Sequence, residues 1–303
     1  MRSIGMDVHR SFAQVAIFAD GTVTESFRVE LEHDAVLAFG RSLRPDDEVV
    51  LEATGNTAAI VRLLTPFVAR VVIANPLQVK AIAHARVKTD KVDAAILAQL
   101  HAADFLPEVW AADDATLELR RLVSERVAVI RSIRRAKSRV HAVLHANLIP
   151  KSEGHLFGKG GRRWLAEAPL PKSERDILGR HLDELDWLQA RLESLEHDLI
   201  VFSLDDARTR KLMSVAGVSA IIATAVVAAI GDIERFATPQ KLASYFGLTP
   251  SVRQSGADRA IHGRITKQGE GDALRVHAFL LGWTSVQACL CEVRRLQSGE
   301  PGT

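Results

Sequence analysis

Residues 3–31 alternate apolar and polar side chains through three runs (3–9, 12–18 and 22–31), and the dipeptide Asp20-Gly21 separates the second run from the third. A period of two is the pattern of strands, and Asp-Gly between two such runs favours a tight hairpin turn. The chain then changes period. Residues 33–43 read as a helix stopped by Pro45, and 48–53 as a short apolar strand running into Thr54-Gly55-Asn56. Residues 58–67 are helical again, 70–74 form a further apolar strand stopped by Asn75-Pro76, and 77–87 are helical. Three strands joined by tight turns, followed by helix, strand, helix, strand and helix, suit one kind of sheet. It begins as an antiparallel meander and grows through right-handed crossovers, an α/β mixed sheet.

A further helix begins at Lys88-Thr89-Asp90-Lys91-Val92-Asp93, with Thr89 or Asp90 as N-cap and good helix formers from Ala94 to Leu100. Asp90 and Asp93 are three apart and share a helix face. Two carboxylates there repel unless a cation lies between them, and a hard divalent ion such as Mg2+ prefers all-oxygen surroundings. The plainer alternative is an acidic first turn favoured by the helix dipole and neutralised by Lys88 and Lys91. Strand polarity adds Asp7, on the first strand, and Glu52, at the carboxyl end of the fourth, where ligands of such sheets collect. Two folds share this opening: the RNase H-like (RuvC-like) nucleases and the actin and sugar-kinase ATPases. The kinases need glycine after the first aspartate, so that backbone N–H groups can face phosphate. Here Val8-His9-Arg10-Ser11 follows Asp7, which favours the nuclease type.

Beyond residue 112 the pattern is helical. Leu119, Leu122, Val129, Ile133, Ala136, Val140 and Val143 keep a three-four spacing broken by Arg126, and Leu185, Leu188, Leu192, Leu195, Leu199 and Phe202 keep it too. These heptad seams predict two long antiparallel helices joined by a loop, a coiled coil packed within the chain or between protomers. The first helix is basic: between Arg120 and Arg139, Arg120, Arg121, Arg126, Arg131, Arg134, Arg135, Lys137 and Arg139 stand against Glu125 alone. Lys159, Arg162 and Arg163 follow among glycines. Like charge along about five turns repels itself unless a polyanion neutralises it, and a nucleic-acid backbone does so. The second helix, with Asp183, Glu184, Asp186, Glu193, Glu196 and Asp198, offers the basic charge another outlet.

The net charge of +2 says little by itself; the distribution of charge says more. Residues 212–231 carry no charge over about the length of a membrane span. They are rich in small residues, are broken by Gly217 and lack aromatic anchors, so a buried helix-turn-helix is expected rather than a membrane helix. The unit resembles a helix-hairpin-helix, although Ser219 stands where a second glycine is usual, and phosphate binding and packing alone both stay open. Tyr245, the only tyrosine, sits in an apolar helical pattern and reads as core. In the polar segment 251–256, Ser255 beside Gly256 is a turn residue or a nucleophile. Cys289 and Cys291 are too close for an ordinary disulfide, and Asp7 interrupts any signal-peptide core, so a cytoplasmic protein is expected. The expected divisions are 1–110 (catalytic sheet), 111–205 (basic coiled coil) and 206–303 (mostly helical).

Taken in order, several stretches resemble the DEDD transposases of bacterial insertion sequences. They are Gly5-Met6-Asp7-Val8-His9, Leu51-Glu52-Ala53-Thr54-Gly55 and Lys88-Thr89-Asp90-Lys91-Val92-Asp93-Ala94, then Gly231-Asp232-Ile233-Glu234-Arg235-Phe236, Gly247-Leu248-Thr249-Pro250, Gln254-Ser255-Gly256 and Gly263-Arg264-Ile265-Thr266-Lys267. The resemblance implies a RuvC-like domain whose acidic quartet, Asp7, Glu52, Asp90 and Asp93, holds one or two Mg2+ (or Mn2+) ions. It also implies a C-terminal domain whose Ser255 attacks phosphorus to form a transient covalent link. Arg253, Arg264 and Lys267 are then candidates to neutralise phosphate charge. The implied partners are donor and target DNA, a structured guide RNA, and further copies of the chain in a dimer or tetramer, with no membrane. Two departures stand out: Gln268-Gly269-Glu270-Gly271-Asp272 is more acidic than the family's usual basic segment, and the chain ends soon after Trp283, as a shortened copy would. The rival readings are a metal-dependent, junction-selective nuclease that uses water as nucleophile, and an inactive nucleic-acid-binding remnant.

Overall fold

The computed structural model describes residues 2–82, 89–150 and 154–247, with the backbone of 250–253 and 261–265. The chain divides into two compact units, Met1–Ala111 and Ala112–Thr303.

In the first unit, β1 (Ser3–Val8), β2 (Phe12–Ala19) and β3 (Thr22–Glu30) form the expected meander. Asp20 and Gly21 both take positive φ, 50° and 79°, the backbone that a tight hairpin requires. Then come α1 (His33–Ser42), β4 (Glu48–Glu52), α2 (Thr57–Leu64) with a short 3-10 turn after it, β5 (Arg70–Ala74), α3 (Pro76–Ile82), α4 (Asp90–Ala102) and β6 (Glu108–Val109). The sheet order is β3-β2-β1-β4-β5-β6. Strands β4 and β5 continue parallel to β1, and β6 closes the far edge antiparallel to β5. Strand β6 was not foreseen: two residues are too few to display a period.

Alternation along the strands divides the core between two faces. Ile4, Met6, Val49 and Leu51 pack with Val36 and Phe39 of α1 and Ile60 and Leu64 of α2. Val50, Val72 and Ala74 point the other way, to Val79 of α3 and Leu97 of α4. Each such large apolar side chain contributes roughly 1.5–3 kcal/mol when it leaves water. At the N-terminal edge, Arg2 donates two hydrogen bonds to the buried carboxylate of Asp47, at 2.8 and 2.6 Å. Burial pushes the Asp47 carboxyl up, but the Arg2 guanidinium and the Arg44 backbone N–H outweigh it and hold the group below the usual range.

The second unit contains α5 (Asp114–Ala146), α6 (Lys159–Glu167), α7 (Lys172–Asp205), α8 (Ala207–Met213), α9 (Ala220–Ile230) and α10 (Pro239–Tyr245), then the strand pair β7 (Pro250–Arg253) and β8 (Ile261–Ile265). Helices α5 and α7 run antiparallel, as the pairings Glu125–Arg191, Arg126–Glu196 and Arg139–Glu184 require. Their seams meet within the chain, Val129, Ile133 and Ala136 against Leu185, Leu188 and Leu195. Where a plain loop was expected between them, α6 intervenes and packs Leu165 and Trp164 against Val140, Val143 and Leu144.

The uncharged stretch begins with the last two residues of α8, turns through Gly217 (φ 86°) and continues as α9. Ser219 caps α9 by accepting from the Ile222 N–H. Every residue of α9 from Ile222 to Ala228 is buried, and α9 packs on α5, α7 and α8. No described helix is long and apolar enough to cross a membrane. Tyr245 lies against Phe236 and donates to the Ala229 carbonyl at 3.1 Å, a core role. Part of the polar segment is strand β7, whose Arg253 lies opposite Ile261 of β8. Pairing between segments decided this, with no alternating pattern to announce it.

Candidate metal centre

The centre begins with a glycine. A Cβ on Gly5 would lie 2.0 Å from the Ala94 carbonyl oxygen and 2.8 Å from the Ala98 nitrogen, both backbone atoms of α4. Helix α4 therefore rests on β1 at a separation that no side chain permits. The contact is secured at both ends of the helix. Thr89 caps the N-terminus by accepting from the Val92 N–H. Near the C-terminus, His101 Nε2 lies 2.6 Å from Glu48 Oε2 of β4, with the His101 side chain only 8% exposed.

Gly5 and Asp7 are two apart on β1 and share a face, so the helix that covers Gly5 brings its first turn to Asp7. Asp90 arrives there. His9, just past the end of β1, is the third member: its Nε2 is 3.2 Å from Asp7 Oδ2 and 3.4 Å from Asp90 Oδ2. Among the described residues, Asp7, His9 and Asp90 form the one group of three or more candidate ligands whose atoms all lie within 4.8 Å of one another. The imidazole is held from behind. Its ring lies 4.7 Å from that of Phe12, whose own ring carries the Arg28 guanidinium at 4.4 Å, and the His9 N–H donates to the Phe12 carbonyl. His9 was not singled out from the sequence, although its i+2 spacing from Asp7 was a usable signal.

Glu52 and Asp93 lie outside the close group. Strands β1 and β4 keep parallel register up to Met6 opposite Leu51, and Asp7 and Glu52 are the next residue on each. They thus emerge side by side on strands about 4.8 Å apart. Asp93 lies one turn along α4 from Asp90 and is half-buried. The donor set suits a divalent cation. Two carboxylates converge with an imidazole nitrogen that is shut off from solvent and makes no hydrogen bond of acceptable geometry. A buried polar atom in that condition is costly unless something else satisfies it.

The basic residues of the second unit divide by what already engages them. Arg120 donates to the Ala228 and Ala229 carbonyls, Arg126 to Glu196, Arg139 to Glu184 and Arg162 to Asp186. Lys137 lies over the Phe157 ring at 5.2 Å. Arg121, Arg131, Arg134 and Arg135 are exposed, and among the described residues no ion pair includes them. Lys159, Arg162 and Arg163 line an open cleft of about 710 Å3 with Phe157, Asp186 and Gln189. Arg253 and Arg264 lie on β7 and β8; Ser255 and Lys267 lie outside the described residues.

Two family descriptions match this sequence. One, described as a transposase and belonging to the DEDD type of the IS110 elements, matches residues 4–148; the other, described as the transposase IS116/IS110/IS902 family, matches residues 209–289. A protein of Pseudomonas aeruginosa named as a family 20 transposase is 36% identical over 103 residues, which is 34% of this chain and 30% of that protein. One of Sinorhizobium fredii named as transposase y4qE is 29% identical over 203 residues, 66% of this chain and 48% of its own length. The transposase for insertion sequence element IS1111A of Coxiella burnetii is 26% identical over 166 residues, 51% of this chain and 42% of that protein. The chain thus spans less than half the length of each of these three relatives.

Proposed function

We propose, from the premise that this chain belongs to the DEDD-type insertion-sequence transposases of the IS110/IS116 family, that it cleaves and exchanges DNA strands with the help of a divalent metal. The observation that carries the reading is the convergence of Asp7 and Asp90, brought from distant parts of the sequence to one point by the docking of α4 on Gly5. The sheet order, with three antiparallel strands followed by two parallel to β1, supports an RNase H-like, RuvC-like reading of the first unit. Asp7, Asp90 and, beside them, Glu52 and Asp93 would hold Mg2+ or Mn2+. Such an ion, when bound, polarises a phosphoryl oxygen and stabilises the leaving 3′ oxygen.

The protein's own groups supply the rest. Ser255 Oγ attacks phosphorus, the bond from phosphorus to the 3′ oxygen breaks, and the phosphoserine link conserves the bond energy for rejoining. Arg253, Arg264 and Lys267 neutralise charge on the phosphate. Arg121, Arg131, Arg134 and Arg135 on α5, with the cleft at Lys159, Arg162 and Arg163, provide a backbone-binding surface for DNA and for a structured guide RNA. Base pairing then reads sequence while the protein reads shape. Exchange between two duplexes needs more than one active site, hence a dimer or tetramer, acting on the DNA of the cytoplasm.

The test uses the purified full chain, nucleic acid recovered with it, plasmid DNA and Mg2+. Asp7→Asn and Asp90→Asn should each abolish strand cleavage, and Ser255→Ala should abolish the covalent protein–DNA species. Cleavage that survives loss of Ser255 selects the nuclease with water as nucleophile. Cleavage that survives loss of both aspartates refutes the metal-centred reading.

A further inference from the structure

We propose that His9 is itself a ligand of the divalent ion, so that the centre is a mixed nitrogen-oxygen site of Asp7, His9 and Asp90 with a preference for Mn2+ over Mg2+. The inference rests on the metal-dependent reading above and deepens it. Three features of the imidazole support it. Its Nε2 is 3.2 and 3.4 Å from carboxylate oxygens on two different elements, and ligand atoms at right angles around an ion with bonds of about 2.1 Å stand about 3.0 Å apart. The same nitrogen is buried yet makes no hydrogen bond of acceptable geometry to either carboxylate. A ring N–H must lie in the ring plane, and here that direction serves neither oxygen. An ion shared with both carboxylates would satisfy that nitrogen's lone pair. Finally, the ring is braced: the turn bond from the His9 N–H to the Phe12 carbonyl fixes the backbone, and Phe12, itself capped by Arg28, sets the plane. Ring orientation fixed from behind is what a metal-bound histidine needs.

The chemical consequence is selectivity. Mn2+ binds nitrogen most weakly of the first-row transition ions, but it accepts an imidazole at a smaller penalty than the hard Mg2+, whose surroundings are oxygen. Replacing the imidazole should therefore weaken Mn2+ binding more than Mg2+ binding.

The experiment is Mn2+ titration of the full chain by electron paramagnetic resonance, with electron spin echo modulation on the bound ion. Wild type, His9→Gln, His9→Ala and Asp7→Asn are compared, each checked for folding by circular dichroism. In wild type the bound Mn2+ should show modulation from a directly coordinated 14N. In His9→Gln that modulation should vanish and Mn2+ affinity fall by at least about 10-fold, the least that loss of even an outer-shell partner costs, with a smaller fall for Mg2+ measured by competition. Mn2+ that binds and is lost with Asp7→Asn, yet shows no His9-dependent nitrogen coupling, overturns the proposal and leaves the carboxylate site standing. Mn2+ binding that neither Asp7→Asn nor His9→Gln alters overturns both. The smaller Gln and Ala variants guard each other: folding of either one suffices for the comparison.

Discussion

Replacing Gly5 by alanine tests whether α4 is held where the proposed metal centre needs it. The new Cβ would stand 2.0 Å from the Ala94 oxygen, whereas ordinary contacts begin at 3.4 Å, so α4 must lift from β1 by about 1.4 Å. The obstruction is a backbone carbonyl, and no change of rotamer or trimming of a neighbour relieves it. Overpacking of this kind costs roughly 1–3 kcal/mol, and the immovable partner places this case at the upper end. Lifting α4 also carries Asp90 away from His9 and Asp7, which remain with β1, and opens the 3.4 Å approach. Hydrogen exchange with mass spectrometry reads the first effect. Amides of α4 and the adjoining strands should exchange about 5- to 150-fold faster, the factor that corresponds to that energy. A Mn2+ titration reads the second and should show weaker binding. Gly179→Ala on α7 is the control: an added Cβ there meets nothing within 4 Å, and an alanine in a helix interior should stabilise by up to about 1 kcal/mol. Unchanged exchange and unchanged Mn2+ binding in Gly5→Ala would refute the claim that this contact positions Asp90.

Other outcomes follow from the same physics. Arg126 interrupts the seam of α5 and is 11% exposed, paired with Glu196 at 2.6 Å. Arg126→Met alone should therefore destabilise by about 1–3 kcal/mol, and Arg126→Met with Glu196→Leu should recover most of the loss in a double-mutant cycle by urea unfolding. The carboxyls of Asp47 and Asp206 are both lowered: burial raises each, and the Arg2 and Arg208 hydrogen bonds respectively, with backbone N–H groups, overcome it. A group lowered on folding stabilises above its unfolded value of about 3.9 and loses that contribution as pH falls through its folded value. Arg2→Met should thus be less stable than wild type at neutral pH, with the difference closing in acid titrations of unfolding as Asp47 takes up its proton below the unfolded value. On the proposed nucleic-acid surface, replacing Arg131, Arg134 and Arg135 by alanine should reduce the slope of log affinity against log salt by about 2–3 for duplex DNA. Arg139→Ala, whose cation already faces Glu184, should change it less.

The sequence alone determined whatever depends on neighbours along the chain. The period of two in residues 3–31 and the Asp20-Gly21 turn became β1 to β3. Thr89 became the cap of α4, and the three-four spacing became the seams of α5 and α7. These are local matters of backbone preference and of which face is apolar, and both are written in adjacent residues. Only the tertiary structure decided which charged groups meet. Whether Arg120 faces a phosphate or the carbonyls that end α9, and whether Arg139 faces solvent or Glu184, depends on a partner helix far away in sequence. The same holds at the proposed metal centre. Asp7 and Asp90 were named as candidates from their elements, but their meeting with His9 rests on how closely α4 approaches Gly5. Spacing along one chain cannot encode a distance between two elements; steric contact between their backbones sets it.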